Sequence, residues 1–90
     1  MRALRLTSAF KKDLKRIAKR GYNRDLLDAE VDLLRAGQPL PATRRDHTLK
    51  GAWKGRRECH IEPNWLLIYE VTRTHLLLAR TGTHADLFGA

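Results

Sequence analysis

The part of the sequence that most constrains the fold is a predicted β-hairpin. Arg56–Glu62 alternates in the two-residue period of a strand, with Cys59 and Ile61 on one face. Pro63-Asn64 is a turn signal, and Trp65–Val71 is rich in β-favouring residues and apolar on both faces. A strand that is apolar on both faces is typical of the centre of a sheet. We therefore expect the chain to build its core around this hairpin.

The opposite face of the first hairpin strand is polar and carries His60 beside Glu58 and Arg56. Histidine both accepts and donates protons near neutral pH, because its ordinary pKa is about 6.5. Arginine is well suited to bind phosphate. This face is therefore a candidate platform for acid–base chemistry beside a phosphate group.

Size and composition narrow the class of protein. Ninety residues suffice for one domain, so residues 1–90 are assigned to a single unit. The longest apolar runs, Trp65–Tyr69 and Leu76–Ala79, are far shorter than the roughly 20 residues of a membrane span, so no membrane partner is expected. The N-terminal residues lack a signal-peptide pattern, and the single cysteine, Cys59, cannot form an internal disulfide. A cytoplasmic protein is expected.

The net charge of +8 is the strongest compositional signal. It predicts a polyanionic partner, either nucleic acid or an acidic protein segment. Residues 1–20 hold eight basic side chains against one acidic one, and residues 44–57 hold six against one. A solvated helix face explains the first cluster as well as nucleic-acid contact does.

The N-terminal half predicts one strand and two helices. Ala3–Thr7 is expected to be a strand with Leu4 and Leu6 buried, and Ser8 is suited to cap the following helix. The apolar stripe of that helix consists of Phe10, Leu14, Ile17 and Ala18.

The second helix is expected to begin at the N-cap Asn23 and to end near Arg35, before Gly37. Its buried face consists of Leu27, Val31 and Leu34. We expect the two helices to form an antiparallel hairpin.

The rest of the chain completes an α+β fold. Thr43–Ala52 is expected to be an irregular basic loop, and His75–Thr81 a last strand. The tail His84–Phe88 is expected to attach to the body through Leu87 and Phe88. The predicted order is β-α-α-β-β-β, with an N-terminal strand and a helical hairpin packed on a small antiparallel sheet.

Three histidines, His47, His60 and His84, occupy a loop, a strand face and a tail that can meet at one sheet edge. RNA cleavage requires little more than such groups. A base removes the proton of the ribose 2′-OH, which attacks the adjacent phosphate, and an acid protonates the leaving 5′-oxygen. His60 and His84 are the candidate acid–base pair.

Cationic and aromatic side chains are candidates for holding the RNA. The candidate phosphate contacts are Arg80, Arg56 and Lys54. The candidate base-stacking residues are Trp53, Trp65 and Phe88.

Structural roles compete with these functional ones. Trp65 opens an apolar strand, which favours a place in the core, whereas Trp53 fits either role. Cys59 shares a face with Ile61, which indicates a buried small apolar residue rather than a nucleophile. No pair of the histidines has the spacing of zinc ligands, so neither a metal nor another cofactor is expected.

Two runs of residues resemble a known family. The pattern DHxLxGxWKGxRxxHIEPxWxLIY, here Asp46–Tyr69, and the ending RTGTHxxLFG, here Arg80–Gly89, closely resemble the YafQ-type toxins of the RelE/ParE superfamily, found in bacterial type II toxin–antitoxin systems. The resemblance implies a RelE-like fold and a metal-independent endoribonuclease that cleaves mRNA in the A site of the 70S ribosome. It also implies a cognate antitoxin, expected to be acidic, and binding to operator DNA only as the toxin–antitoxin complex.

By position, the three histidines match the active-site histidines of that family, Trp65 matches the tryptophan that closes its motif, and Phe88 matches its functional C-terminal aromatic residue. Arg80 is added to the catalytic set. The predicted RNA-binding set is Lys50, Trp53, Lys54, Arg56, Glu58, Asn64 and Phe88.

Two positions depart from the family pattern. Glu58 stands where YafQ-type toxins typically have an aspartate, and Asn64 where an acidic residue usually precedes the tryptophan. Asparagine cannot take up a proton, so His60 or His84 must serve as the base. Two other functions remain open: a ParE-like inhibitor of DNA gyrase with the same fold, and a basic nucleic-acid-binding module without catalysis.

Overall fold

The computed structural model describes residues 1–89 as a five-stranded sheet with two helices on one face and a short helix after the last strand. The strands are β1 (Ala3–Leu6), β2 (His47–Thr48), β3 (Arg57–Glu62), β4 (Trp65–Val71) and β5 (His75–Gly82). The helices are α1 (Ser8–Lys19), α2 (Arg24–Arg35) and α3 (His84–Phe88). Two single 3₁₀ turns lie at Ala42–Arg44 and Gly51–Trp53. No helix within residues 1–89 is long and apolar enough to cross a membrane.

The strand order is β1-β5-β4-β3-β2, which confirms the predicted α+β class and the central position of β4. The sheet is mixed rather than antiparallel, because β1 pairs with β5 in the parallel direction. The short strand β2 lies within the segment that was expected to be irregular. Its two residues are too few for a periodic pattern to be visible in the sequence.

The hairpin of β3 and β4 forms the centre of two apolar layers. Trp65, Leu67 and Tyr69 face the helices, while Leu66 and Ile68 face the opposite side. All five are at most 1% exposed. Burying each such side chain contributes roughly 1.5–3 kcal/mol, so β4 stabilises the fold through both faces. The helix-facing layer is completed by residues of both long helices, namely Phe10, Ile17, Leu27, Val31 and Leu34.

The helix boundaries agree with the sequence except at the start of α1. Thr7, not Ser8, is the N-cap: its hydroxyl accepts from the Phe10 N–H at 3.0 Å and donates to the Ala79 carbonyl at 2.7 Å. Thr7 takes this role because it is the last extended residue before the helix. Ala18 is exposed, so it does not belong to the buried stripe.

The prediction that Leu4 and Leu6 are buried is wrong. They are 40% and 36% exposed, because β1 is an edge strand. Both side chains line a shallow apolar groove together with Phe10 and Leu14 of α1 and Leu27 of α2. The groove is not filled by other side chains of residues 1–89, so these leucines stay partly in contact with solvent.

A buried hydrogen-bond relay joins β4 to β5. The Trp65 indole N–H donates to the Thr81 hydroxyl at 2.9 Å, and that hydroxyl donates to the Leu66 carbonyl at 2.7 Å. Trp65 is 1% exposed, which confirms its expected place in the core.

Replacing Thr81 by valine keeps the shape but leaves the buried indole N–H without its acceptor. We expect T81V to lower the free energy of unfolding by about 1–3 kcal/mol, measured by urea denaturation. The exposed Thr48 provides the control, because T48V removes a hydroxyl from solvent and should change stability by less than about 0.5 kcal/mol. Equal stability of T81V and wild type would contradict the relay.

Candidate active site

The structure brings the three predicted histidines together around the carboxylate of Glu58. The register of β2 and β3 places His47 directly opposite Glu58, and His60 follows two residues along the same face. His84 is the first residue of α3 and approaches from the end of β5. The Nε2 atoms of His47, His60 and His84 lie 3.1, 3.9 and 3.9 Å from the Glu58 carboxylate oxygens.

Glu58 lies at the buried centre of the histidine cluster. It is only 5% exposed, whereas the side chains of His47 and His84 are about half exposed. Its Oε1 atom has no hydrogen-bond donor among residues 1–89. A buried carboxylate oxygen is costly to leave unsatisfied, so Oε1 favours a group that brings a proton or positive charge between His60 and His84.

The contacts of His47 restrict its protonation. Its Nδ1 atom lies 2.7 Å from the Arg45 carbonyl, which can only accept, so Nδ1 carries a hydrogen. Its Nε2 atom lies 3.1 Å from the carboxylate of Glu58. Both contacts are hydrogen bonds only if the His47–Glu58 pair holds an additional proton, on the imidazole or on the carboxyl group.

His60 and His84 face each other with ring centroids 5.9 Å apart. The Nδ1 atom of His60 lies 3.3 Å from the Pro63 carbonyl, at the turn of the hairpin. A hydrogen on Nδ1 leaves Nε2 of the neutral ring as an acceptor that points toward the Glu58 carboxylate. Two imidazoles at this separation are able to contact one phosphodiester from two sides.

The helix that carries His84 is fixed by Asp86. The Thr83 hydroxyl and the Asp86 carboxylate form a reciprocal capping box at the start of α3. The two carboxylate oxygens of Asp86 also accept from the Arg20 guanidinium at 2.6 and 3.0 Å. Gly82 has φ +150°, and a Cβ atom there would lie 2.8 Å from Asp86 Oδ2, so a larger residue would displace this carboxylate.

Arg80, predicted to contact phosphate, instead contacts the carboxylate of Asp13. Its Nε and Nη2 atoms donate to Asp13 at 2.7 and 3.1 Å. These bonds raise the pKa of Arg80 above its ordinary value. Arg80 shares a register row with Ile68 and Glu58, so it lies on the histidine-bearing face without joining the cluster.

Aromatic side chains extend the site away from the sheet. Phe88 is 39% exposed and lies 6.0 Å from the ring of His84 and 6.1 Å from Trp53. The Arg56 guanidinium lies 6.0 Å from the Trp53 ring centroid, within the range of a cation–π contact. The remaining predicted RNA-binding residues are exposed: Lys50, Lys54 and Asn64. The expected attachment of the tail is provided by Leu87, which is buried, rather than by Phe88.

Sequence reasoning overlooked the two aspartates that order the site, Asp13 and Asp86. Asp13 is the one acidic residue among the first 20, and it lies on the face of α1 that turns toward the sheet. A lone acid within a basic helix was the available signal. Its partner Arg80 is 67 residues away, so the sequence pattern does not reveal the pair.

A mixed sheet that carries a helical hairpin on one face is consistent with the α+β fold of the RelE-like toxins. The profile of one family, described as "Bacterial toxin of type II toxin-antitoxin system, YafQ", matches residues 2–89. The chain therefore belongs to the YafQ toxin family, as the resemblance predicted.

Characterised relatives cover nearly the whole chain. The mRNA interferase toxin YafQ of Escherichia coli K12 is 44% identical over 89 residues, which cover 98% of this chain and 97% of the relative. The crystal structure of YafQ from E. coli BL21(DE3) covers 99% of this chain and 100% of its own, with a TM-score of 0.93 and 42% identity. The E. coli DinJ–YafQ toxin–antitoxin complex contains a chain with a TM-score of 0.90 and 44% identity over 98% of both chains. The expected enzyme class, an endoribonuclease, agrees with these relatives.

The Asp86–Arg20 contact predicts a loss of stability in acid. The hydrogen bonds from Arg20 hold the pKa of Asp86 well below its usual range. A carboxyl group with a depressed folded-state pKa stabilises the fold above its unfolded-state pKa, about 4, and loses that effect as the pH falls toward the folded-state value. We expect D86N to be less stable than wild type at pH 7, and we expect the difference to shrink below pH 4, measured by urea denaturation across pH.

Asp32, an exposed acid of α2, is the matched control. The free energy of unfolding of D32N should stay close to that of the wild type across the same pH range. A constant difference between D86N and wild type from pH 7 to pH 2 would show that the charge of Asp86 contributes nothing.

Proposed function

We propose that this chain is a ribosome-dependent mRNA endoribonuclease and the toxin of a type II toxin–antitoxin pair, acting in the cytoplasm, where ribosomes are found. The observation that supports the chemistry best is the placement of two facing imidazoles, His60 and His84, over the buried carboxylate of Glu58. Family membership supports the biological role.

The reaction is a transfer of the phosphoryl group within the RNA strand. The 2′-oxygen forms a bond to phosphorus as its proton passes to a base, and the bond from phosphorus to the 5′-oxygen breaks as an acid supplies a proton. The products are a 2′,3′-cyclic phosphate and a 5′-hydroxyl. This chemistry consumes no water and needs no oxidant or reductant.

Within this reaction we assign the base to His60 and the acid to His84. The His60 side chain is 12% exposed, and a hydrogen on its Nδ1, facing the Pro63 carbonyl, leaves Nε2 as the acceptor. His84 is more exposed and stands at the N-terminus of α3, beside Phe88. Such a position suits a group that meets the leaving strand and recovers its proton from solvent.

The remaining charges suit roles in positioning. Glu58 is too buried to contact RNA directly, so we assign it to orienting the histidines and to balancing the positive charge that develops on them. Arg56, Lys54 and Lys50 lie on the segment that precedes β3 and are available to phosphates. Phe88 and Trp53 offer exposed ring surface for stacking of bases.

An antitoxin is the proposed protein partner. The E. coli relative forms a complex with the antitoxin DinJ. For this chain, the net charge of +8 favours a cognate antitoxin with an acidic segment that covers the basic surface. Binding to operator DNA is proposed for that complex and not for the free toxin.

The test of the function is primer extension on a defined mRNA in a bacterial translation extract, with and without ribosomes. We expect cuts that need ribosomes and that fall by at least about 100-fold in H84A, because loss of a general acid typically costs 10²–10⁴-fold. The matched control is H75A: His75 lies at the opposite end of β5 and contacts Thr74. Cleavage by H84A at the wild-type rate, with unchanged stability, would contradict the assignment. Inhibition of gyrase supercoiling without RNA cleavage would instead favour the ParE-like function.

Glu58 provides a second test, of its role as a positioning residue. E58Q keeps the shape but cannot supply charge to the histidines, so we expect kcat to fall about tenfold or more while KM changes little. The imidazole NMR signals of His47 should shift in E58Q and not in the control E70Q, which alters a glutamate of β4. An unchanged kcat in E58Q would show that the carboxylate only fills space.

A further inference from the structure

A cavity of about 380 Å³ adjoins the histidine cluster, and His60 is part of its lining. One wall is the segment Thr43–Arg45, and the other is residues 60–63 at the end of β3 and its turn. Its volume falls within the range of about 300–1,000 Å³ that is typical of small-ligand sites. We call this cavity the side pocket.

The side pocket exists because the sheet is incomplete at this edge. β2 pairs only with Arg57 and Glu58, so the end of β3 from His60 to Glu62 has β4 on one side and no strand on the other. The main-chain N–H and C=O groups along such an edge remain available to a ligand. The 3₁₀ turn Ala42–Arg44 packs against β3 but does not pair with it as a strand, which leaves space between the two.

An ion pair with a buried glutamate holds the wall formed by Thr43–Arg45 in place. Glu30 of α2 is 2% exposed, and one of its oxygens accepts from the Arg44 Nε atom at 2.9 Å. Beside it, burial and the charge of Glu30 raise the pKa of the Cys59 thiol, so that thiol stays protonated. The Arg44 guanidinium is thus paired with Glu30, and this pair fixes the wall of the side pocket.

Two exposed charged residues remain free to meet a ligand. Arg45 has a left-handed backbone (φ +50°) that turns its carbonyl toward His47. Within residues 1–89, its guanidinium makes no ion pair with a carboxylate, and Glu62 likewise makes no ion pair with a cation. The lining also includes Pro63, which is exposed, and Ile61, which is 8% exposed. A cation, an apolar wall and a carboxylate in one small cavity match the phosphate, the base plane and the base edge of a nucleotide.

We propose that the side pocket binds the nucleotide that adjoins the cleaved phosphate, and that Glu62 selects bases with an exocyclic amino group. This inference rests on the proposed function. An ionised carboxylate only accepts hydrogen bonds. Adenine, cytosine and guanine offer amino hydrogens, whereas uracil has the acceptor O4 in place of the amino group of cytosine, and its one edge donor, N3–H, is flanked by two carbonyl oxygens that repel a carboxylate. Arg45 holds the phosphate of the same nucleotide, which offsets the repulsion between that phosphate and Glu62.

The first experiment maps the cut sites in a translation extract by sequencing the ends of all cleaved mRNAs. We expect wild type to disfavour uracil at one fixed position beside the cut. In E62Q this bias should fall about five- to tenfold, because the amide of glutamine both donates and accepts and therefore tolerates uracil. D32N changes the same charge at a distant exposed position, and it should keep the wild-type bias. An identical bias in E62Q and wild type would overturn the proposal.

The second experiment does not depend on cleavage. RNA tetranucleotides with a 2′-O-methyl group on every ribose cannot undergo attack by the 2′-oxygen, so their binding is measured alone. We expect them to shift the Ile61 methyl NMR signals of wild type. In R45Q the affinity should fall and the salt slope of binding should decrease by about one. R5Q, which removes an exposed arginine of β1, is the control.

The two experiments separate the inference from the function on which it rests. One outcome is that the tetranucleotides bind and shift the Ile61 methyl signals while the wild type never cuts mRNA. That outcome would support the side pocket and overturn the catalytic proposal. Cutting by wild type together with unchanged Ile61 signals and an unchanged R45Q affinity would overturn the side pocket and leave the catalytic proposal in place.

Discussion

The arrangement of this site depends on the hydrogen bonds that the carboxylate of Asp13 accepts from the end of β5. Asp13 is 1% exposed and accepts three hydrogen bonds, two from Arg80 and one from the Thr81 backbone N–H at 3.0 Å. An unpaired buried charge would be very costly, so these donors make the position of α1 against the end of β5 specific. β1 pairs with β5 only as far as Leu78, and Asp13 satisfies the backbone beyond that point. The chain then leaves the sheet in a fixed direction toward α3.

The charges near the end of α1 alternate in sign with those of α3: Asp13, Arg16, Asp86 and Arg20 lie in a row. Arg16 lies 3.6 Å from both Asp13 and Asp86, and Arg20 binds Asp86 in a bidentate contact. One helix thus fixes the last strand through Asp13 and the terminal helix through Asp86. Exposed ion pairs are individually weak, but a row of them around two enclosed carboxylates defines one geometry. Part of the cationic face that indicated a polyanion partner therefore serves to hold His84 in place.

The sequence predicted the elements whose patterns are local. The apolar β4, the turn at Pro63-Asn64 and the helix-ending signals at Asn23 and Gly37 are all visible within short windows. The convergence of the three histidines follows from the predicted order of these elements. The parallel pairing of β1 with β5, the two-residue strand β2 and the Arg80–Asp13 contact each join segments that are distant in sequence or lack a period. Arg80 is an example: its position at the end of a strand predicts a phosphate contact, and the sequence does not reveal its buried partner, which lies in another element.

The length of the glutamate side chain at position 58 suits its contacts with the three histidines. A carboxylate at the base of β3 must reach His47 across the strand pair and also face His60 and His84. Glutamate carries one more methylene than the aspartate typical of the family, and here it places Oε2 at 3.1 Å from His47 while Oε1 stays between the other two rings. Oε2 contacts His47, whereas Oε1, which has no hydrogen-bond donor among residues 1–89, faces His60 and His84. One carboxylate thus lies near all three imidazoles, with Oε2 at 3.1 Å from His47 and Oε1 at 3.9 Å from His60 and from His84.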